Sequence, residues 1–276
     1  MPFITLEEVQ HDENLQIFFQ DYGSGQPVIL IHGWPLSHRA WEPQMQVLAD
    51  AGYRAIAYDR RGFGTSSLPY KNFDYTTLAS DLQSLILELD LHDCIIVGFS
   101  MGGGEVVRYM TEYGADRIAK AVLISSIIPL VAQKDDNPDG VPQKELDSIL
   151  ETVKSDRATF MTEFVGNFYN ADKIDISDAH LDYTKTIGYF ASPRATVETA
   201  KAWAGTDFRS ECKNITVPTL IVHGDADQVV PIETAGEQAA KLIPDNEYHV
   251  IKDAPHGLNY THRDELNTIL LDFLKK

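Results

Sequence analysis

The chain predicts a mostly parallel, doubly wound α/β sheet, on three observations. Short apolar runs recur along it and are near-continuous rather than alternating, as strands buried on both faces require. Between them lie segments with apolar residues at helical spacing, and strands alternating with helices build parallel βαβ units. One long stretch, residues 128–212, breaks this rhythm and reads as a helical cap inserted between two late strands. The expected division is therefore a body of residues 1–127 and 213–276 with the cap between its two parts. The length of 276 residues and the apolar fraction of 43% supply a sizeable core.

In chain order, ITLEEV (4–9) and LQIFFQDYG (15–23) read as an opening pair of strands. PVILIHG (27–33), RAIAYD (54–59), CIIVGF (94–99) and AVLISS (121–126) read as buried strands. Leu78, Leu82, Leu85, Ile86 and Leu89 share one helical face between the second and third of these. The cap opens on the turn-rich DDNPDGVP (135–142). Within it Phe160, Phe164 and Phe168 are spaced by four, with Trp203 and Phe208 near its end. Most of these aromatics should pack on the body, and a few should line a pocket between cap and body. TLIVHG (219–224) and EYHVIKDA (247–254) complete the buried strands. A last amphipathic helix carries Leu266, Ile269, Leu270, Phe273 and Leu274 on one face.

Composition excludes several classes. Lysine plus arginine number 23 against 41 acids, a formal charge of −18. Phosphate-rich partners need clustered cations, so nucleic acid and anionic membrane surfaces are not expected. The negative surface serves solubility. The N-terminal stretch has neither a basic start nor a long apolar run, so no signal peptide is expected. The longest nearly apolar run, residues 121–132, is too short and too polar to span a bilayer. Cys94 lies in an apolar run as a core residue, and two cysteines, Cys94 and Cys212, cannot form a disulfide framework. The expected compartment is the cytoplasm. Neither clustered Cys or His nor an H-E-x-x-H element appears, so no metal site is expected.

The strongest chemical signal is GFSMGGGE (98–105). Gly98-Phe99-Ser100-Met101-Gly102 is a G-x-S-x-G element between a strand and a helical stretch, the setting of a nucleophile elbow. Small flanking residues let strand and helix approach, and the serine stands at a helix N-terminus that favours developing negative charge. A nucleophilic serine needs a base, and the base an orienting acid, in the chain order Ser, acid, His. His256, in DAPHGL at the end of a strand, is the expected base. His32 and His223 each precede a glycine at a strand end and read as local hydrogen-bonding residues. His11, His38, His92, His180, His249 and His262 sit in polar contexts and read as exposed. Asp225, Asp227 and Asp253 all compete for the acid. Asp227 is chosen as nearer the Pro231 that starts the next helix, and Asp225 reads as a turn brace. DRRGFGTSS (59–67) reads as a structural corner, with Asp59 paired to Arg60 or Arg61.

These stretches together, DYGSGQPVILIHGWP, YDRRGFGTSS, VGFSMGGGEV, TDFR, HGDADQVVP and DAPHGLNYTH, resemble the α/β-hydrolase superfamily. More narrowly they resemble its cofactor-free haloperoxidase, perhydrolase and aryl esterase group, over nearly the whole chain. The resemblance implies an α/β-hydrolase fold, with Ser100 as nucleophile, His256 as base and Asp227 as acid. It implies an oxyanion hole from the backbone N–H groups of Trp34 and Met101. It also implies no haem, no metal, no other cofactor, and frequent homo-oligomeric assembly. The expected substrates are small esters or carboxylic acids, with hydrogen peroxide as an alternative to water, so that a peracid forms. Lactamases and carbon–carbon bond hydrolases keep the same triad, and a ligand-binding protein is the non-enzymatic alternative. Pro35, Phe99, Phe160, Phe164, Trp203 and Val229 are the candidate pocket residues. Proline 35 has two readings: it starts a helix, or it holds Trp34 extended and aims the Trp34 carbonyl at an attacking peroxide.

Overall fold

The computed structural model describes residues 2–7 and 14–276. Its strands are β1 (Phe3–Glu7), β2 (Asn14–Gly23), β3 (Pro27–Ile31), β4 (Arg54–Tyr58), β5 (Cys94–Phe99), β6 (Ile118–Ile124), β7 (Thr219–Gly224) and β8 (Asn246–Ile251). They form one eight-stranded sheet in the order β1-β2-β4-β3-β5-β6-β7-β8. The pairs β1–β2 and β2–β4 are antiparallel, and the other five pairs are parallel. Residues 8 and 9 of the expected first strand, and His11, lie outside the described residues.

The helices are α1 (Glu42–Asp50), α2 (Tyr75–Glu88), α3 (Gly102–Tyr113), α4 (Gln143–Ser155), α5 (Arg157–Tyr169), α6 (Asp178–Tyr189), α7 (Pro193–Gly205), α8 (Gly236–Leu242), α9 (Leu258–Thr261) and α10 (Arg263–Leu274). α1 packs with α10, and α2 with α3. The apolar runs of β3 and β5 are buried as a result, which is why they carry no alternation. Helices α4 to α7 fill the interval between β6 and β7. Three of these four start at a side-chain cap: Asp156 accepts from Thr159 N, Ser177 from His180 N and Ser192 from Ala195 N. Each such cap is worth about 1 kcal/mol.

Three expectations fail here. β8 is not a buried strand, since it pairs with β7 alone at the sheet edge and Val250 is 48% exposed. Asp59 pairs with neither neighbouring arginine. Its Oδ1 accepts from both the backbone N–H and the ring Nδ1 of His38, each at 2.7 Å. Arg60 instead pairs with Glu105 on α3, and Arg61 with Asp81 on α2. All six of these side chains are buried, and His38 is 2% exposed rather than at the surface. The physical reason is shared: a charge in the core persists only when it meets an opposite charge or a donor there. His180 is likewise half-buried, its ring stacked 3.4 Å from that of Tyr260.

Candidate functional site

Ser100 follows β5 directly and adopts a left-handed φ of 54°, rare for a residue with a side chain. The strain is held from three sides. Ser100 N–H donates to Ile124 O at 2.9 Å, and Ser100 O accepts from Gly103 N at 3.1 Å and Ile127 N at 3.3 Å. The turn needs its glycines for close approach. A Cβ on Gly98 would meet Gly102 O at 2.6 Å, and one on Gly102 would meet Ile31 O at 2.5 Å. Strand β5 and helix α3 therefore meet tightly enough to lift the serine above the sheet. Glu105, in the first turn of α3, would place a negative charge near that helix start. It is offset by Arg60, whose Nε donates at 2.7 Å, and by Tyr58 Oη at 2.6 Å.

His256 and Asp227 arrive on the loops after β8 and β7, at the same edge of the sheet. Ser100 Oγ lies 2.9 Å from His256 Nε2, and His256 Nδ1 lies 2.7 Å from Asp227 Oδ2. A carboxylate only accepts, so the proton sits on Nδ1 and leaves the Nε2 lone pair for the serine hydroxyl. Asp227 Oδ1 accepts from Val229 N at 2.9 Å and Val230 N at 2.8 Å. Burial works against the charge of Asp227. His256 beside it, together with hydrogen bonds from His223 and His256, outweighs this and holds the carboxyl well below its usual range. Asp225 braces a different loop from its own: its Oδ1 accepts from Asp253 N at 2.5 Å, which ties the acid loop to the histidine loop. Asp253, the third candidate acid, contributes that backbone group from a left-handed φ of 58°.

The stretch Gly33-Trp34-Pro35-Leu36 is a turn closed by Leu36 N–H to Gly33 O at 3.0 Å, with a cis Trp34–Pro35 bond. A Cβ on Gly33 would stand 3.0 Å from Ser100 Cβ, so glycine lets this turn lie against the serine. The Trp34 indole crosses to the cap, donating to Thr196 O at 2.9 Å. Its rings meet Phe160, Phe164 and Trp203 edge-on at 5.5–5.8 Å. The bulky residue at the strand end thus fastens the turn to the helices above it. Pro35 starts no helix: the next helical residue is His38, capped by Ser37. On the far side of Ser100, the Met101 carbonyl accepts from Tyr75 Oη at 3.1 Å.

A cavity of about 470 Å³ opens over Ser100 and is lined in part by helices α4, α5 and α7. Trp34 and Met101 line it, as do four of the expected pocket residues, Phe160, Phe164, Trp203 and Val229. Pro35 and Phe99 do not. Phe99, the last residue of β5, is fully buried and packs on Trp41, Phe168 and the ring of His256, so it backs the histidine rather than lining the cavity. Pro35 is buried toward Gly188 of α6. Two further residues, Tyr75 and His223, bear on the site without being expected there. Tyr75 has no local motif to betray it. His223 reads as a local hydrogen-bonding residue and does bond the Val230 carbonyl at 2.9 Å, but it also approaches Asp227 Oδ2 at 3.3 Å.

Residues 26–263 match the family model described as alpha/beta hydrolase fold. The chain is 41% identical, over all of both chains, to a putative non-heme chloroperoxidase from Synechocystis sp.. It is 35% identical to a bifunctional esterase/perhydrolase from Acinetobacter calcoaceticus, across 95% of this chain and 97% of that one. It superposes on the crystal structure of a bromoperoxidase from Bacillus anthracis with a TM-score of 0.94 at 43% identity, covering 96% of this chain and 97% of the other.

Proposed function

The chain belongs to the alpha/beta hydrolase family, and within it we propose a serine hydrolase that cleaves small carboxylic esters through an acyl-enzyme and also performs perhydrolysis. The observation that carries this reading is the unbroken path Ser100 Oγ, His256, Asp227, at 2.9 and 2.7 Å, opening into a largely apolar cavity. The likeness to an esterase/perhydrolase and to non-heme haloperoxidases supports it.

In this mechanism His256 Nε2 takes the Ser100 proton as Oγ attacks the ester carbonyl. The N–H groups of Trp34 and Met101 receive the oxyanion. A single donor of this kind is typically worth about 10²–10³ in kcat. His256 then gives its proton to the leaving alkoxide, and the alcohol departs. Water attacks the acyl carbonyl while His256 accepts its proton, then returns it to Ser100 Oγ, and the acid is released. With hydrogen peroxide in place of water the same proton transfers give a peracid. Asp227 holds the imidazole in the productive tautomer and stabilises its charged form. The residues lining the cavity from the cap, Phe160, Phe164 and Trp203, shape it for the acyl or alkoxy group. Two free, buried cysteines accord with the cytoplasmic setting we propose, and homo-oligomer formation belongs to the same reading. Among the described residues no helix is long and apolar enough to cross a membrane.

The test is hydrolysis of p-nitrophenyl acetate, and peracid formation when peroxide is added, by the wild type and by Ser100→Ala. Both activities should be present in the first and absent in the second. Loss of neither in Ser100→Ala overturns the reading. Pro35→Leu should lower the ratio of perhydrolysis to hydrolysis if, as this reading has it, Pro35 holds the Trp34 carbonyl where an attacking peroxide can donate to it. An unchanged ratio removes peroxide orientation from the role of Pro35.

A further inference from the structure

Asp227 does not stand on its own loop alone. Behind it, His223 is the fifth residue of β7 and is fully buried. Its Nε2 lies 2.9 Å from Val230 O and 3.3 Å from Asp227 Oδ2. Both neighbours only accept, so the proton of this ring sits on Nε2. Its Nδ1 is buried and finds no partner among the described residues. The start of α8 closes over that side: a Cβ on Gly236 would come within 2.9 Å of His223 Nδ1. A proton on Nδ1 would therefore be a buried donor without an acceptor, an expensive arrangement. The ring is left with one donor, and it points at the acid loop.

These bonds close a circuit. Val230 gives its N–H to Asp227 Oδ1 at 2.8 Å and its carbonyl to His223 at 2.9 Å. Oδ2 is approached by His223 and donated to by His256 at 2.7 Å. Four N–H groups thus surround one carboxylate, two from backbone and two from imidazoles. Rotation of the carboxylate would break contacts on both oxygens at once.

We propose that His223 is a positioning residue for catalysis: by anchoring Val230 and flanking Oδ2 it fixes the direction in which Asp227 addresses His256. The proposal rests on the reading of Ser100, His256 and Asp227 as the triad. It places the effect on the chemical step, since misdirecting Oδ2 frees the His256 ring to turn from Ser100.

The experiment titrates active sites with a fluorophosphonate, then measures kcat and KM per titrated serine on p-nitrophenyl acetate. His223→Leu, which lacks the donor, should lose about tenfold or more in kcat and in labelling rate, with KM nearly unchanged. His223→Gln can offer an amide N–H to Val230 O and should recover most of that loss. A purely structural role would lower yield and melting temperature but leave kcat per titrated serine intact, and that result overturns the proposal. Should His223→Leu not fold, nitrogen-15 NMR of wild-type histidine rings decides: the His223 proton should reside on Nε2, and an Nδ1–H ring refutes the circuit. Failure of the triad reading looks different, since the wild type would then carry no label on Ser100.

Discussion

Among the described residues, two buried histidine–aspartate pairs have the same length. His256 Nδ1 sits 2.7 Å from Asp227 Oδ2, and His38 Nδ1 sits 2.7 Å from Asp59 Oδ1. The two rings are 1% and 2% exposed, so burial does not separate them. What separates them is the other nitrogen. His256 Nε2 faces Ser100 Oγ beneath an open cavity. His38 Nε2 is buried without a partner among the described residues, its ring tilted over Phe18 at 4.8 Å. The aspartates also differ in what else they hold. Asp227 accepts from loop amides that border the cavity, whereas Asp59 accepts from His38 N and from Thr65 N at 2.7 Å, stitching two turns of the body together. A histidine–aspartate pair is thus only a way to fix a ring, and under the proposed mechanism the free nitrogen determines whether the fixed ring performs chemistry.

Removing the carboxylate from each pair should separate the two roles. Asp227→Asn should lower kcat by about 10³–10⁴-fold while the protein stays folded, because the asparagine cannot enforce the same tautomer. Asp59→Ala should act on stability instead, costing about 3 kcal/mol through the donors it strands, with kcat per titrated serine within about twofold of wild type. Thermal melting and active-site titration on the same samples read both quantities. Equal kcat losses in the two variants would erase the distinction.

Acid sharpens it further. The carboxyl of Asp227 is held low in the folded chain, so its ionised form contributes stability above the unfolded carboxylate range. That contribution fades as pH falls toward and below about 4. The stability difference between wild type and Asp227→Asn should therefore be full at neutral pH and shrink on acidification, read by denaturant midpoints. A difference that grew on acidification would reverse the sign of the linkage.

Asp225→Asn gives a smaller effect. Asparagine keeps an oxygen for the Asp253 N–H, so turnover should change less than about threefold. A loss as large as that of Asp227→Asn would reassign the acid. The smallest effect concerns the thiols. Burial pushes both Cys94 and Cys212 up to about 12, so neither offers thiolate at pH 8. Iodoacetamide should leave the folded protein unmodified and fully active, whereas rapid alkylation of either residue would contradict that burial.

The two pairs also show what sequence conveys. The meeting of His256 with Ser100 was legible because the histidine follows a strand and precedes a glycine, downstream of a G-x-S-x-G turn and an aspartate loop, so several short-range signals agree. That Asp227 rather than Asp225 meets His256 goes with a local feature, the amides of Val229 and Val230 that follow it and hold its Oδ1. His38 misled because Ser37, Arg39 and Glu42 around it are polar, while its burial comes from Asp59, 21 residues away on a different strand end. The partners of Arg60 and Arg61 are equally remote, on α3 and α2, so no spacing rule reports them. The near-continuous strands were legible, since burial on both faces writes itself into every residue. β8 was not, because an edge strand and a central one share the same apolar core while only their neighbours differ. Among the pocket residues, the spacing of Phe160 and Phe164 fixed their helix face, but the place of Phe99 depends on the ring of His256, 157 residues away, which covers it.

The central claim is that Ser100 alone among the buried polar groups becomes acylated. Brief exposure to p-nitrophenyl acetate, an acid quench and peptide mass spectrometry test it directly. One acetyl group should be found, on Ser100, absent from Ser100→Ala and greatly slowed in Asp227→Asn but not in Asp59→Ala. An acetyl on any other residue that forms at the rate of turnover, or one that persists in Ser100→Ala, would contradict the account.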